Sequence, residues 1–245
     1  MANPHTLNKP PITEALIDFR TQISAPQEAF EAFAKELEPE FPTRQVRHGM
    51  RAELRIDHGR LIPPKAEKLG FQGVMVTSAD ETLKVQFGPE GFTLNNLGAY
   101  QGGERLVTLA LALWSRFASR MSASVVTRVA FRYINRLDLP LRHGDPINRY
   151  LVSPPELPEG APQNVSDFLS RIVAREPTSG AIAIVTQRMN LQQSAPVVLI
   201  DVDVFKQGEF SPNQADLRLI LDSLRLVKNS IFFSLLTEEA VALYL

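Results

Sequence analysis

Alternation of apolar and polar positions opens the chain and returns several times along it. Ala15, Ile17 and Phe19 alternate with Glu14, Asp18 and Arg20, which predicts a strand over 12–23. Phe30, Phe33, Ala34 and Leu37 then share one helical stripe. It begins at a capping-box pattern, Ser24-Ala-Pro-Gln27, and stops before Pro42. Residues 45–56 read as extended, a loop carries Pro63 and Pro64, and shorter extended runs follow near 71–78, 82–87 and 91–95. The last two are joined by Gly88-Pro-Glu-Gly91, a turn signal. In 105–121 the residues Leu106, Leu109, Ala110, Leu113, Trp114 and Phe117 keep helical spacing and predict a long amphipathic helix.

The next strand, 125–140, carries Arg128, Arg132 and Arg136 at every fourth position. Strand side chains alternate faces, so the arginines share one face while Val129, Phe131 and Tyr133 share the other. A short helix near 146–151, a proline-rich loop (Pro154, Pro155, Pro158, Pro162) and a helical turn over 167–173 are expected next. Strands over 181–191 and 196–205 follow. Ser211-Pro-Asn-Gln214 is expected to cap a final helix, with Pro212 in its first turn and Leu217, Ile220, Leu221, Leu224, Val227 and Ile231 as its stripe.

Each part thus runs strand, helix, several strands, long helix. Phe19-Arg20 and Phe131-Arg132 stand at matching places, and each long helix begins about ninety residues after its strand. The expectation is an α+β fold built from a duplicated strand-helix-strands-helix unit. Its halves, 1–122 and 123–245, would join in one globular domain, with a mainly antiparallel curved sheet and long helices packed on one face. Strands that follow strands without intervening helices argue against a doubly wound parallel sheet.

Composition narrows the chemistry. The chain is 44% hydrophobic and 22% charged, as soluble globular proteins are. A net charge of −1 argues against bulk attraction to nucleic acid or anionic membrane. The absence of cysteine excludes disulfides, thiolate catalysis and cysteine-held metals. Neither a signal sequence nor an apolar run of membrane-spanning length is visible, so a cytoplasmic location is expected. The apolar tail, 231–236 and 241–245, is expected to pack into the core rather than against another subunit, and oligomeric state stays open.

The arginine row is the foremost candidate for binding. Arg128, Arg132 and Arg136, with Arg20 and Asp18 of the opening strand, form the candidate ligand-binding set, because guanidinium groups grip phosphates, carboxylates and acidic partners in pairs of hydrogen bonds. Arg47, Arg51 and Arg55 repeat the spacing on another strand. The competing reading neutralises these groups across strands with Glu14, Asp18 and Glu53. Asp201 and Asp203 share a strand face and are weak candidates for a magnesium site, with no further carboxylate to complete a cage. His48, His58 and His143 each precede glycine. Arg47-His48-Gly49 matches a phosphatase signature in letters, yet lacks the parallel α/β setting which that chemistry uses. Phosphate-binding loops, nucleotide-binding glycine fingerprints, nucleophile elbows and zinc-spaced histidines are all missing. Phe71, Phe87, Phe92 and Tyr100 could stack on bases, but core packing is the expected role.

Pro11-Ile-Thr-Glu-Ala-Leu-Ile-Asp-Phe-Arg20 and Phe131-Arg-Tyr-Ile-Asn-Arg136 resemble a family of uncharacterised bacterial proteins described as sporadically distributed. The resemblance implies a bacterial protein of patchy occurrence, fitting an accessory of a mobile or defence locus, and carries no site residue with it. The function expected is a non-catalytic binding or interaction module that meets a protein partner or a small anionic ligand on its arginine-bearing face, without a cofactor. Nucleic-acid binding and metal-dependent catalysis on a phosphorylated substrate are the alternatives.

Overall fold

The protein is described here by a computed structural model covering residues 2, 5–57, 60–141, 145–162, 165–190 and 197–245, with the backbone course alone for 50–57 and 60–69. The elements in chain order are β1 (Ile12–Arg20), α1 (Gln27–Glu36), β2 (Thr43–Asp57), β3 (Arg60–Thr77), β4 (Leu83–Gly88), β5 (Gly91–Asn96), α2 (Gly103–Met121), β6 (Val126–Asp138), β7 (Asp167–Arg175), β8 (Ile182–Asn190), β9 (Val197–Phe210), α3 (Gln214–Ser234) and α4 (Glu238–Ala242). The strands form one nine-stranded sheet, ordered β2-β3-β4-β5-β1-β6-β9-β8-β7, and all neighbouring strands run antiparallel. In both parts the first strand lies at the centre of the sheet. The strand just before the long helix pairs with it, and earlier strands lie further out.

Register sorts the side chains. Ile17 lies opposite Phe131 and Leu94, and Phe19 opposite Val129 and Phe92, so these residues share a face, and all are buried. Helix aromatics meet that face: Trp114 of α2 lies 4.9 Å from Phe19, and Phe33 of α1 meets Phe87 edge-on at 5.0 Å. Leu217, Leu221 and Leu224 of α3 are buried, and this helix touches β6 and β9. Burying such aromatics contributes about 1.5–3 kcal/mol each. The opposite face carries the charged positions.

Several local expectations change. Residues 167–175 form a strand, because the pairing of Asp167 with Asn190 through Arg175 with Ile182 satisfies a backbone that one turn of helix would leave largely unpaired. The short helix near 146–151 is a single 3-10 turn at Ile147–Arg149. The first helix begins after Pro26 with no side-chain cap, so the capping box is not formed. At α3 the cap is Asn213, whose side chain accepts from the Asp216 amide at 2.9 Å, and Pro212 precedes the helix. The Gly88–Gly91 hairpin is as expected. Gly91 has φ 147°, and a Cβ there would lie 2.3 Å from the Phe19 carbonyl oxygen, so only glycine lets β5 approach β1. In the tail, Leu236, Ala240 and Val241 are buried while Leu243 and Leu245 are exposed. Among the described residues no helix is long and apolar enough to cross a membrane.

Candidate functional site

β6 presents chemistry on both of its faces. On the uncovered face the arginines are engaged. Arg128 donates from Nη1 to Asp18 and from Nη2 to Asp203, each at 2.9 Å, and its guanidinium lies 4.3 Å over the Phe205 ring. Arg132 grips Asp201 in a two-bond fork, at 2.7 and 2.6 Å. That fork holds Arg132 above the ordinary arginine value, against the opposing effect of burial. Arg136 pairs with Asp138, two positions along its own strand, at 3.0 Å. Asp18, nearly buried, also takes Arg20 at 3.0 Å and the Thr93 hydroxyl at 2.7 Å. The register explains the network: Arg20 lies directly opposite Arg128, and the carboxylate of Asp18 sits between two like charges.

The predicted ligand-binding residues Asp18, Arg20, Arg128 and Arg132 are therefore brought together, with Arg136 at the margin, but as a closed ion-pair ladder. Asp201 and Asp203 share that face and serve as arginine partners. Among the described residues no group of three or more potential ligands gathers into a metal cage. Two buried polar atoms on this face lack partners among the described residues, Asn95 Nδ2 and Asp203 Oδ1, and burial raises the Asp203 carboxyl above the usual range although Arg128 and Arg132 oppose the rise. Arg47 donates to Gln86. The side chains of Arg51, Glu53 and Arg55, and the pairs His58-Gly59 and His143-Gly144, lie outside the described residues. Phe87 and Phe92 are core residues, Phe71 packs on Phe30, and Tyr100 meets Tyr133.

On the helix-covered face lies a site that the sequence reading did not single out. A cavity of about 410 Å³ is lined by the N-terminal segment (Leu7, Asn8, Pro10 and Ile12 among others), by the start of α2 (Gly102, Gly103), and by Tyr100, Tyr133, Lys228 and Phe232. Lys228 is only 3% exposed, and its Nζ sits 3.1 Å from the Tyr133 ring centroid. No carboxylate or hydrogen-bond acceptor engages it among the described residues. Burial, with Arg225 adding like charge, holds the amine well below the ordinary lysine value. The Tyr100 and Tyr133 hydroxyls bond to each other, and burial raises both above the ordinary tyrosine value.

The helix start is built for close approach. Gly102 holds φ at 103°, a conformation suited to glycine, and it provides no side chain to cap the first turn. A Cβ on Gly103 would lie 3.0 Å from the Tyr100 hydroxyl and 3.4 Å from that of Tyr133. Tyr133 thus touches the helix start with its hydroxyl and Lys228 with its ring. Unsatisfied amides at the end of this 19-residue helix concentrate positive potential of about half a charge. One signal for the site existed in the sequence: Lys228 continues the buried stripe of α3 after Leu217, Leu221 and Leu224.

A scan of the chain against protein-family models finds no match, and a search of curated proteins finds no relative.

Proposed function

We propose that this protein is a binding module for a small anionic ligand, held in the cavity between the start of α2 and Lys228. The observation that carries the reading is a buried lysine with no counter-ion among the described residues. An isolated buried charge is expensive, so burial favours the neutral form of the amine, and a bound anion would supply a counter-charge for the protonated form. The apolar walls from Leu7, Val202, Phe232 and Phe233 suit a ligand with a hydrocarbon body. Thermal unfolding with lactate, benzoate and inorganic phosphate tests this. At least one anion should raise the midpoint of the native protein and leave Lys228→Met unmoved, since a ligand at about 100 times its Kd stabilises by roughly 2.7 kcal/mol. No response to any of the three would end the reading.

A partner on the arginine-bearing face is a second reading, favoured by the orphaned Asn95 amide and Asp203 oxygen, which together ask for one acceptor and one donor. Capture assays with Asp203→Asn test it. Nucleic acid fits this face poorly: Glu14, Asp18, Asp201 and Asp203 bring four carboxylates against the three guanidinium groups of Arg20, Arg128 and Arg132. The mirrored strand order about the β1–β6 pair supports a duplicated unit, with β1, β5 and α2 answering to β6, β9 and α3. The resemblance at Pro11–Arg20 and Phe131–Arg136 supports placing the protein in the sporadically distributed bacterial family.

A further inference from the structure

Lys228 has what a capturing amine needs beyond charge. We propose that it forms a reversible imine with a carbonyl-bearing anion of the 2-oxo acid class, whose carboxylate lies on the amides at the start of α2. This rests on the anion reading above and specifies the ligand for the same cavity. The geometry supplies each part. The amine lines the cavity with its nitrogen over the Tyr133 ring, and among the described residues no acceptor holds its N–H groups and no donor holds its lone pair. Tyr133 spans the gap from that amine to Gly103, so the anion seat and the nucleophile lie one tyrosine apart, a separation that adjoining carboxylate and carbonyl groups can bridge. The paired hydroxyls of Tyr100 and Tyr133 form a short relay for protons at that position.

A lysine in apolar surroundings beside another cation is activated as a nucleophile, because its neutral form is favoured. Arg225 supplies the cation that acts on Lys228, and it is itself held by Glu104 at 3.6 Å and Asp222 at 3.8 Å. In the step itself the nitrogen lone pair attacks the carbonyl carbon and the C–O π electrons move to oxygen. Both amine hydrogens then leave with that oxygen as water, and the C=N bond remains. No oxidant or reductant enters, and hydrolysis returns the free amine.

Incubating the native protein with pyruvate and sodium cyanoborohydride makes the bond permanent. The expected intact-mass gain is one pyruvic acid less one oxygen atom, and peptide mapping should place it on Lys228. Exposed Lys9 and Lys35 are internal controls, and Lys228 should carry at least about tenfold more label, because burial favours its unprotonated, nucleophilic form. Lys228→Arg should lose the label. An adduct spread evenly over the exposed lysines, or none, overturns the proposal even if the variant fails to fold. Lactate, which has the carboxylate but no carbonyl, separates the two readings. Stabilisation by lactate without a Lys228 adduct overturns the imine and keeps the anion site. A Lys228 adduct supports the imine whatever lactate does.

Discussion

Arg128 of β6 and Lys228 of α3 are two basic side chains on opposite faces of the same strand, and they are treated in opposite ways. Arg128 sits where the register delivers two carboxylates, and it satisfies both. Lys228 sits among Phe131, Tyr133 and the end of a helix, with Arg225 as its charged neighbour and no anion among the described residues. The difference teaches how to separate structural charge from charge held for a visitor. A guanidinium that neutralises carboxylates across strands fixes the sheet and leaves little attraction for an outside ligand. An amine buried without a partner works against folding, and a bound anion or carbonyl relieves that cost.

The comparison can be broken first at Arg128. Arg128→Ala leaves the half-buried Asp203 without its arginine and Asp18 with Arg20 as its remaining cation, and it should lower stability in urea by about 2–4 kcal/mol, reduced from a fully buried pair because Arg128 keeps some exposure. Lys228→Met should move the other way and raise stability at neutral pH by about 1–3 kcal/mol, since a poorly solvated amine becomes an apolar side chain of similar length.

The pH dependence sharpens this contrast. Lys228 titrates lower in the folded protein than in the unfolded chain, where the ordinary value is 10.5. Between those values the unfolded chain holds the additional proton, so the lysine's contribution to stability rises with pH. The advantage of Lys228→Met should therefore be larger at pH 7 than at pH 10, as read by thermal unfolding at both. An advantage constant across that range would mean that Lys228 is charged in the fold. The smallest effect is expected at Arg136→Ala. Its pair with Asp138 is about half-exposed, so the change should cost under about 0.5 kcal/mol and fade with salt. A loss as large as that at Arg128 would show that the ladder acts as one unit.

Much of the fold was legible because periodicity reports burial directly. The alternation in β1 and β6 and the stripes of α2 and α3 follow from which face meets the core. The helical turn expected over 167–173 is instead part of an edge strand, and with Leu169, Ile172 and Val173 exposed that strand lacks the alternation that marks a half-buried one. The caps were misplaced by a residue or two, since Asn213 competes locally with Ser211 for the same role.

The sequence by itself determined which side chains face one another along each strand: the arginines on one side of β6, and Val129, Phe131 and Tyr133 on the other. Only the tertiary structure decided their partners. Asp18 reaches Arg128 across 110 positions of chain, and Lys228 meets Tyr133 from a helix nearly a hundred positions downstream. Strand period is a local property of the backbone, whereas neutralising a charge requires a counter-charge within a few ångströms, and that is set by register and helix packing.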